Sequence, residues 1–100
     1  MKVYNVMQMT RFDYDFSVFT YQEGCYFNKQ DAIKRKEVVV EEVKSSCTEE
    51  IERYSDEDSY PEAGDGALYI ENDEIYFDLE YGFEEDHVVH QVWIDELEVK

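Results

Sequence analysis

"ALYIENDEIYFDLEYGF", residues 67–83, is the stretch whose reading decides the fold. Ile75, Phe77, Leu79 and Tyr81 alternate with Glu74, Tyr76, Asp78 and Glu80, the period of two of a strand with one apolar and one wet face. A second short run, residues 67–71, precedes it. Asn72-Asp73 between them supplies a tight turn, so the stretch predicts a β-hairpin of residues 67–71 and 74–81.

Working outward, "HVVHQVWIDELEV" follows a turn at "GFEED". Its Val88, Val89, Val92, Trp93 and Ile94 do not alternate, which predicts either a bulge or a strand that is apolar on both faces. With the hairpin it completes a three-stranded meander. Upstream, "SDEDSYPEAGDG" holds the only proline and two of the four glycines, and reads as an acidic loop.

Before that loop, residues 29–54 predict one long helix. Asn28 is its N-cap and Asp31 stands in its first turn, where the helix dipole favours an anion. Phe27 and Ala32 occupy the positions of a hydrophobic staple. Ile33, Val40, Val43, Cys47, Ile51 and Tyr54 recur at helical spacing as a stripe for the core. The run "EVVVEEV" is β-branched and "KSSC" offers a break point. Lys29, Lys34, Arg35 and Lys36 read as the solvated face of this helix. At the start of the chain, "KVYNVMQM" predicts a strand; "FDYDF" keeps a period of two; residues 18–21 continue as strand until Gly24. The expected architecture is a single α+β domain spanning residues 1–100: an antiparallel sheet of about four to five strands with one long helix on its apolar face.

Charge narrows the function. The 100-residue chain carries a formal net charge of −17. Residues 1–40 hold six Lys/Arg and five Asp/Glu, whereas residues 41–100 hold three and twenty-one. Solubility of a small domain needs a net charge of only about 2–8 in magnitude. So large an excess opposes compaction and repels nucleic acid and anionic membranes. It suits a surface bound by something basic. The 16% aromatic content separates the chain from disordered acidic tails.

The candidate partner-binding residues are therefore acidic. Glu74, Asp78 and Glu80 form a row on the outer face of the hairpin, about 6.6 Å apart at i and i+2, with Tyr76 among them. Glu71, Asp73, Glu84, Glu85 and Asp86 extend the row, and Asp56, Glu57, Asp58 and Tyr60 offer further charge and an aromatic anchor from the loop. Phosphates along a nucleic-acid strand repeat on a comparable scale, so such a face can occupy a Lys/Arg groove.

Other chemistry finds less support. The loop from Asp56 places Pro61 where an EF-hand needs glycine. Cys25, Cys47, His87 and His90 are zinc-type ligands without paired short spacing, and His87-x-x-His90 on a strand puts the two on opposite faces. Glycine-rich phosphate loops and nucleophile motifs are absent, and Cys47 on the helical stripe reads as core. No cofactor or metal is expected. The nearest alternative of another class is a metal-assisted enzyme using Asp13, Asp15 or the acidic loop. "MKVYNVMQMT" lacks a signal-peptide pattern, which places the chain in the cytosol with both thiols reduced.

In size, charge and α+β pattern, with the row Glu74, Asp78, Glu80 and the acidic run 49–65, the chain resembles the small acidic proteins that phages and mobile elements make against host nucleic-acid-binding machinery. Anti-CRISPR proteins and other DNA mimics are the main examples. The resemblance covers roughly the second half of the chain. It implies a stoichiometric, non-catalytic inhibitor of a basic nucleic-acid-binding protein, one that blocks guide-RNA or DNA binding by a CRISPR nuclease. An immunity protein or antitoxin that neutralises a nuclease toxin is similar to this chain almost as closely.

Overall fold

The computed structural model describes residues 1–55, 67–82 and 87–99. Within them the chain is α+β, with a five-stranded antiparallel sheet and two helices. The strands are β1 (Lys2–Phe12), β2 (Ser17–Tyr26), β3 (Ala67–Asn72), β4 (Tyr76–Gly82) and β5 (Val88–Glu98); the helices are α1 (Lys29–Ser46) and α2 (Thr48–Ser55). Across the sheet the order is β2-β1-β5-β4-β3. The meander β3-β4-β5 thus joins the first hairpin through an antiparallel pairing of β5 with β1. Asp56, Glu57, Asp58 and Tyr60, with the rest of the acidic loop, and Glu84, Glu85 and Asp86 lie outside the described residues.

β5 is central: it pairs continuously with β1 on one side and β4 on the other, and Val88, Val89 and Val92 are all buried. Val88 and Val92 face the helices and Val89 the open side, so of the two expected alternatives it is the strand apolar on both faces. Among the described residues the sheet's irregularity falls between Val6 and Met7, opposite Gly24 and Gln22 on β2.

Four expectations need correction. Strand β2 does not break at Gly24 but runs through it to Tyr26. "DYDF" is the turn between β1 and β2, not strand: Asp15 Oδ1 accepts from the Ser17 amide at 3.0 Å and Phe16 takes a positive φ of 61°. Phe27 is 73% exposed, so the staple with Ala32 does not form. The long helix is two. Cys47 has φ −111°, ψ 19°, and its N–H reaches back to the carbonyls of Val43 and Lys44. Ser46 Oγ donates to Val43 O and Thr48 Oγ1 to Ser45 O. Hydroxyls that compete for the last carbonyls are what "KSSCT" supplies, and they end α1 one residue before α2 begins.

The predicted N-cap is in place, Asn28 Oδ1 accepting from Gln30 N at 2.8 Å. Both helices lie on one face of the sheet. Ala32, Val39, Val40, Val43 and Cys47 from the helical side meet Val6, Phe77, Leu79 and Val92 from the strands. Below α2, Tyr54 stacks on Tyr81 with ring centroids 6.0 Å apart.

One core position is a cation. Lys36 is fully buried. Its Nζ donates to Asn72 Oδ1 at 2.7 Å, to Asp73 O at 2.6 Å and to Glu37 Oε1 at 3.3 Å. Arg35, one residue earlier, binds Glu23 of β2 through Nε to O at 3.2 Å and Nη2 to Oε2 at 3.1 Å. The expected solvated basic face is half kept: Lys29 and Lys34 are exposed, whereas Arg35 and Lys36 are clamps, one to each end of the sheet. A buried ammonium needs its acceptors, and the acceptors need it. Lys36→Met, which keeps the apolar stem, should cost about 2–4 kcal/mol in urea unfolding, because Asn72 Oδ1 and Asp73 O are left unmet.

Candidate acidic interface

The hairpin carries the predicted row, but the strand begins later than its alternation suggests. Asn72 pairs with Phe77, and residues 73–75 make the turn. Asp73 Oδ1 accepts from the amides of Ile75 at 3.0 Å and Tyr76 at 2.8 Å. Aspartate accepting from amides two and three residues on favours a turn over a longer strand. Glu74 is therefore not in line with Asp78 and Glu80. It is exposed in the turn, 3.8 Å from Lys29 Nζ. Ile75, expected on the core face, is 47% exposed.

Asp78 and Glu80 do share the open sheet face with Tyr76, but as a partly buried, hydrogen-bonded pair rather than free charges. Asp78 is only 6% exposed, and its Oδ1 is buried without a donor among the described residues. Tyr76 Oη donates to Asp78 Oδ2 at 3.4 Å and receives Gln91 Nε2 at 2.8 Å. Burial first, and then the neighbouring Glu80, push the Asp78 carboxyl up to about 6. A proton on Asp78 removes the desolvated charge and can be shared with Glu80. Burial works against an ionised Glu80 too, but the His87 ring, 2.8 Å from its Oε1, and the Asp78 proton outweigh it and hold Glu80 below the usual range. Beyond them, Tyr69 Oη donates to the exposed Glu71 at 2.5 Å, which pushes that phenol up to about 12.

The exposed acids gather elsewhere. Lys36 Nζ joins Glu37 of α1 to the β3–β4 turn, which brings Glu37, Asp73 and Glu74 to one corner, whereas Glu71 stands directly opposite Asp78 on the open sheet face. Glu41 stands one helical turn after Glu37, and a shallow groove there is lined by Glu37, Val38, Glu41, Glu42 and Ser45. Val38 is 49% exposed among these carboxylates. Of the predicted residues, Asp73 and Glu74 belong to this corner, Glu71 stays exposed on the open sheet face opposite Asp78, and Asp78, Glu80 and Tyr76 are withdrawn into that face. Glu37, Glu41 and Glu42 were missed. Their signal was the polar helix face opposite the apolar stripe, which carries acids at i and i+4.

The two histidines separate as their spacing suggested, but one cysteine meets one of them. Cys25 is exposed on β2, and His87 faces Glu80. Cys47 Sγ lies 3.4 Å from His90 Nε2, and His90 Nδ1 lies 3.1 Å from Thr10 Oγ1. Burial pushes the Cys47 thiol up and the His90 imidazole down, so both are neutral. That is the opposite of an activated thiolate. Asp13 is held by Arg11 at 2.8 Å, and Asp15 caps Ser17. Among the described residues no three His, Cys, Asp or Glu side chains gather as metal ligands, and no helix is long and apolar enough to cross a membrane. Compared with protein-family models, curated proteins and solved structures, the chain matches none.

Two outcomes follow from these environments. A carboxyl raised from 3.8 to about 6 favours the protonated form in the folded state, so its contribution to stability is complete below about 3.8 and is lost as pH rises through about 6. Asp78→Asn keeps the shape without the charge. Relative to the parent, it should gain on the order of 1 kcal/mol of stability between pH 4 and pH 7, read by urea midpoints across that range. In thiol labelling, Cys25 should react at once and Cys47 only on unfolding, so one fast equivalent per native chain is expected from the disulfide reagent.

Proposed function

We propose that this chain is a non-catalytic acidic binding protein that inhibits a basic nucleic-acid-binding protein. In its most concrete form it is an anti-CRISPR protein that acts in the host cytoplasm by blocking guide-RNA or DNA binding to a CRISPR nuclease. The observation that carries the reading is the corner of Glu37, Glu41, Asp73 and Glu74. It is an exposed set of carboxylates anchored on a helix and a capped turn rather than on a loose tail. Fixed anions lose little entropy when a Lys/Arg groove closes on them. The net charge of −17 adds long-range attraction that speeds encounter with a cationic channel. Half-exposed Val38 gives the patch an apolar contact of the kind that interfaces need at their centre.

The chain and the partner's nucleic acid then compete for the basic groove. The purified chain should displace labelled guide RNA or target DNA from a CRISPR nuclease stoichiometrically, and less well as salt rises. Charge reversal at Glu41, Glu42 and Glu74 spares Asp73 and its turn. The combined lysine variant should keep its circular dichroism and lose at least ~10-fold in displacement. Full inhibition by that folded variant would remove the acidic corner from the interface.

A further inference from the structure

The two edges of the sheet differ. β3 is six residues long with Glu71 on it. β2 is ten residues long, SVFTYQEGCY, with neither lysine nor proline. Its only charge, Glu23, is already paired with Arg35 at 3.1 Å. Val18, Phe19 and Tyr21 are 56%, 46% and 51% exposed. Proteins normally guard an edge strand with charge, proline or shortness. This edge has no free charge, no proline and full length, its one irregularity falls at Glu23, beyond residues 18–22, and it lies in the half of the chain whose formal charges nearly cancel.

Phe19 and Tyr21 stand on the helix side of β2, opposite Thr10 and Gln8 of β1. Between them and α1 runs a groove of about 390 Å³ that Phe12, Val43 and His90 also line. On the other side of the strand stand Val18, Thr20 and Gln22.

We propose that β2 pairs with β2 of a second copy of this chain, antiparallel and centred on Thr20, to make one continuous ten-stranded sheet. In that register Phe19 of each copy faces Tyr21 of the other, two cross-strand aromatic pairs that extend over the grooves. Val18 faces Gln22, and each Glu23 faces Ser17 rather than its own copy. The occupant is a second copy because the edge is self-complementary and neutral: centred on Thr20, it sets aromatic against aromatic and no charge against a like charge, whereas a basic strand would find no free acid there. The acids of the two β3–β4 turns would stand about nine strand spacings, ~43 Å, apart, well beyond the ~8 Å screening length at physiological salt, and the acids of α1, which packs on β2, are the ones that added salt must screen. The pairing is independent of the inhibitory function.

Sedimentation equilibrium of the full chain over a concentration series should show twice the monomer mass of 12.0 kDa. Association should strengthen with added salt, which screens two copies of charge −17, whereas binding to a basic partner weakens with it. Thr20→Lys, at an exposed position, should return the monomer mass with unchanged circular dichroism. Register is read by disulfide trapping in a Cys25→Ser background. Thr20→Cys should cross-link rapidly, because its two copies sit directly opposite each other. Val18→Cys should not, because its copies lie about 14 Å apart along the strands. A monomer at every concentration, which would leave the edge to a strand of another protein, overturns the proposal. So does a dimer that Thr20→Lys leaves intact, or one that cross-links through position 18 and not 20.

Discussion

The ammonium of Lys36 is the contact on which the arrangement depends. It is fully buried, and its nearest acceptors at 2.6 and 2.7 Å belong to the turn between β3 and β4, not to its own helix. A charge taken out of water costs several kcal/mol unless oxygens replace its hydration. The fold therefore tolerates Lys36 only with the hairpin turn seated against α1. That one requirement fixes the end of the outer hairpin relative to the helix and sets Asp73 and Glu74 beside Glu37. A methionine-like stem would have served the core. The ammonium adds position, at a site where apolar packing alone would let the hairpin slide along the helix.

The chain's negative charge is handled in two ways according to depth. On the sheet face, Asp78 is driven toward its neutral form by burial, and Glu80 is met by His87. Where the acids face water, on the outer side of α1 and in the β3–β4 turn, they remain as charges that solvent and salt screen. Repulsion is thus removed where the dielectric is low and retained where it is high. Charge that survives in the described structure lies where it is cheapest to keep and easiest for a cation to reach.

Much of this was legible in the sequence because it is local. The Asn28 cap, the stripe through Val40, Val43 and Cys47, the hairpin, and the doubly apolar β5 each follow from residues a few positions apart. The errors have a common physical origin in side chains whose partners are distant or whose hydrogen bonds compete with regular structure. Asp15 and Asp73 turn the chain by capping amides, against an alternation that alone reads as continuous strand. Lys36 reads as solvated because its acceptors are 36 and 37 residues away. The Cys47–His90 contact spans 43 residues and has no local trace. The acidic row failed at two positions for two reasons: Glu74 was assigned to a strand that its own neighbour, Asp73, had already turned into a loop, and Asp78 was assigned to solvent on a sheet face that Tyr76 and Gln91 partly close.

The two unsatisfied surfaces that remain have incompatible chemistry, and the sheet keeps them apart. Strand order places β2, neutral and aromatic, at one edge and β3, next to the acidic turn, at the other. An apolar edge beside the acids would be repelled from any copy of itself, and acids beside that edge would dilute its self-complementarity. With β1, β5 and β4 between them, about four strand spacings or ~19 Å, the two edges sit more than two screening lengths apart at physiological salt. Each can therefore meet its own class of partner without weakening the other. The long, buried β5 is what makes this possible. It joins the neutral N-terminal hairpin to the acidic meander, and it had to be apolar on both faces to do so.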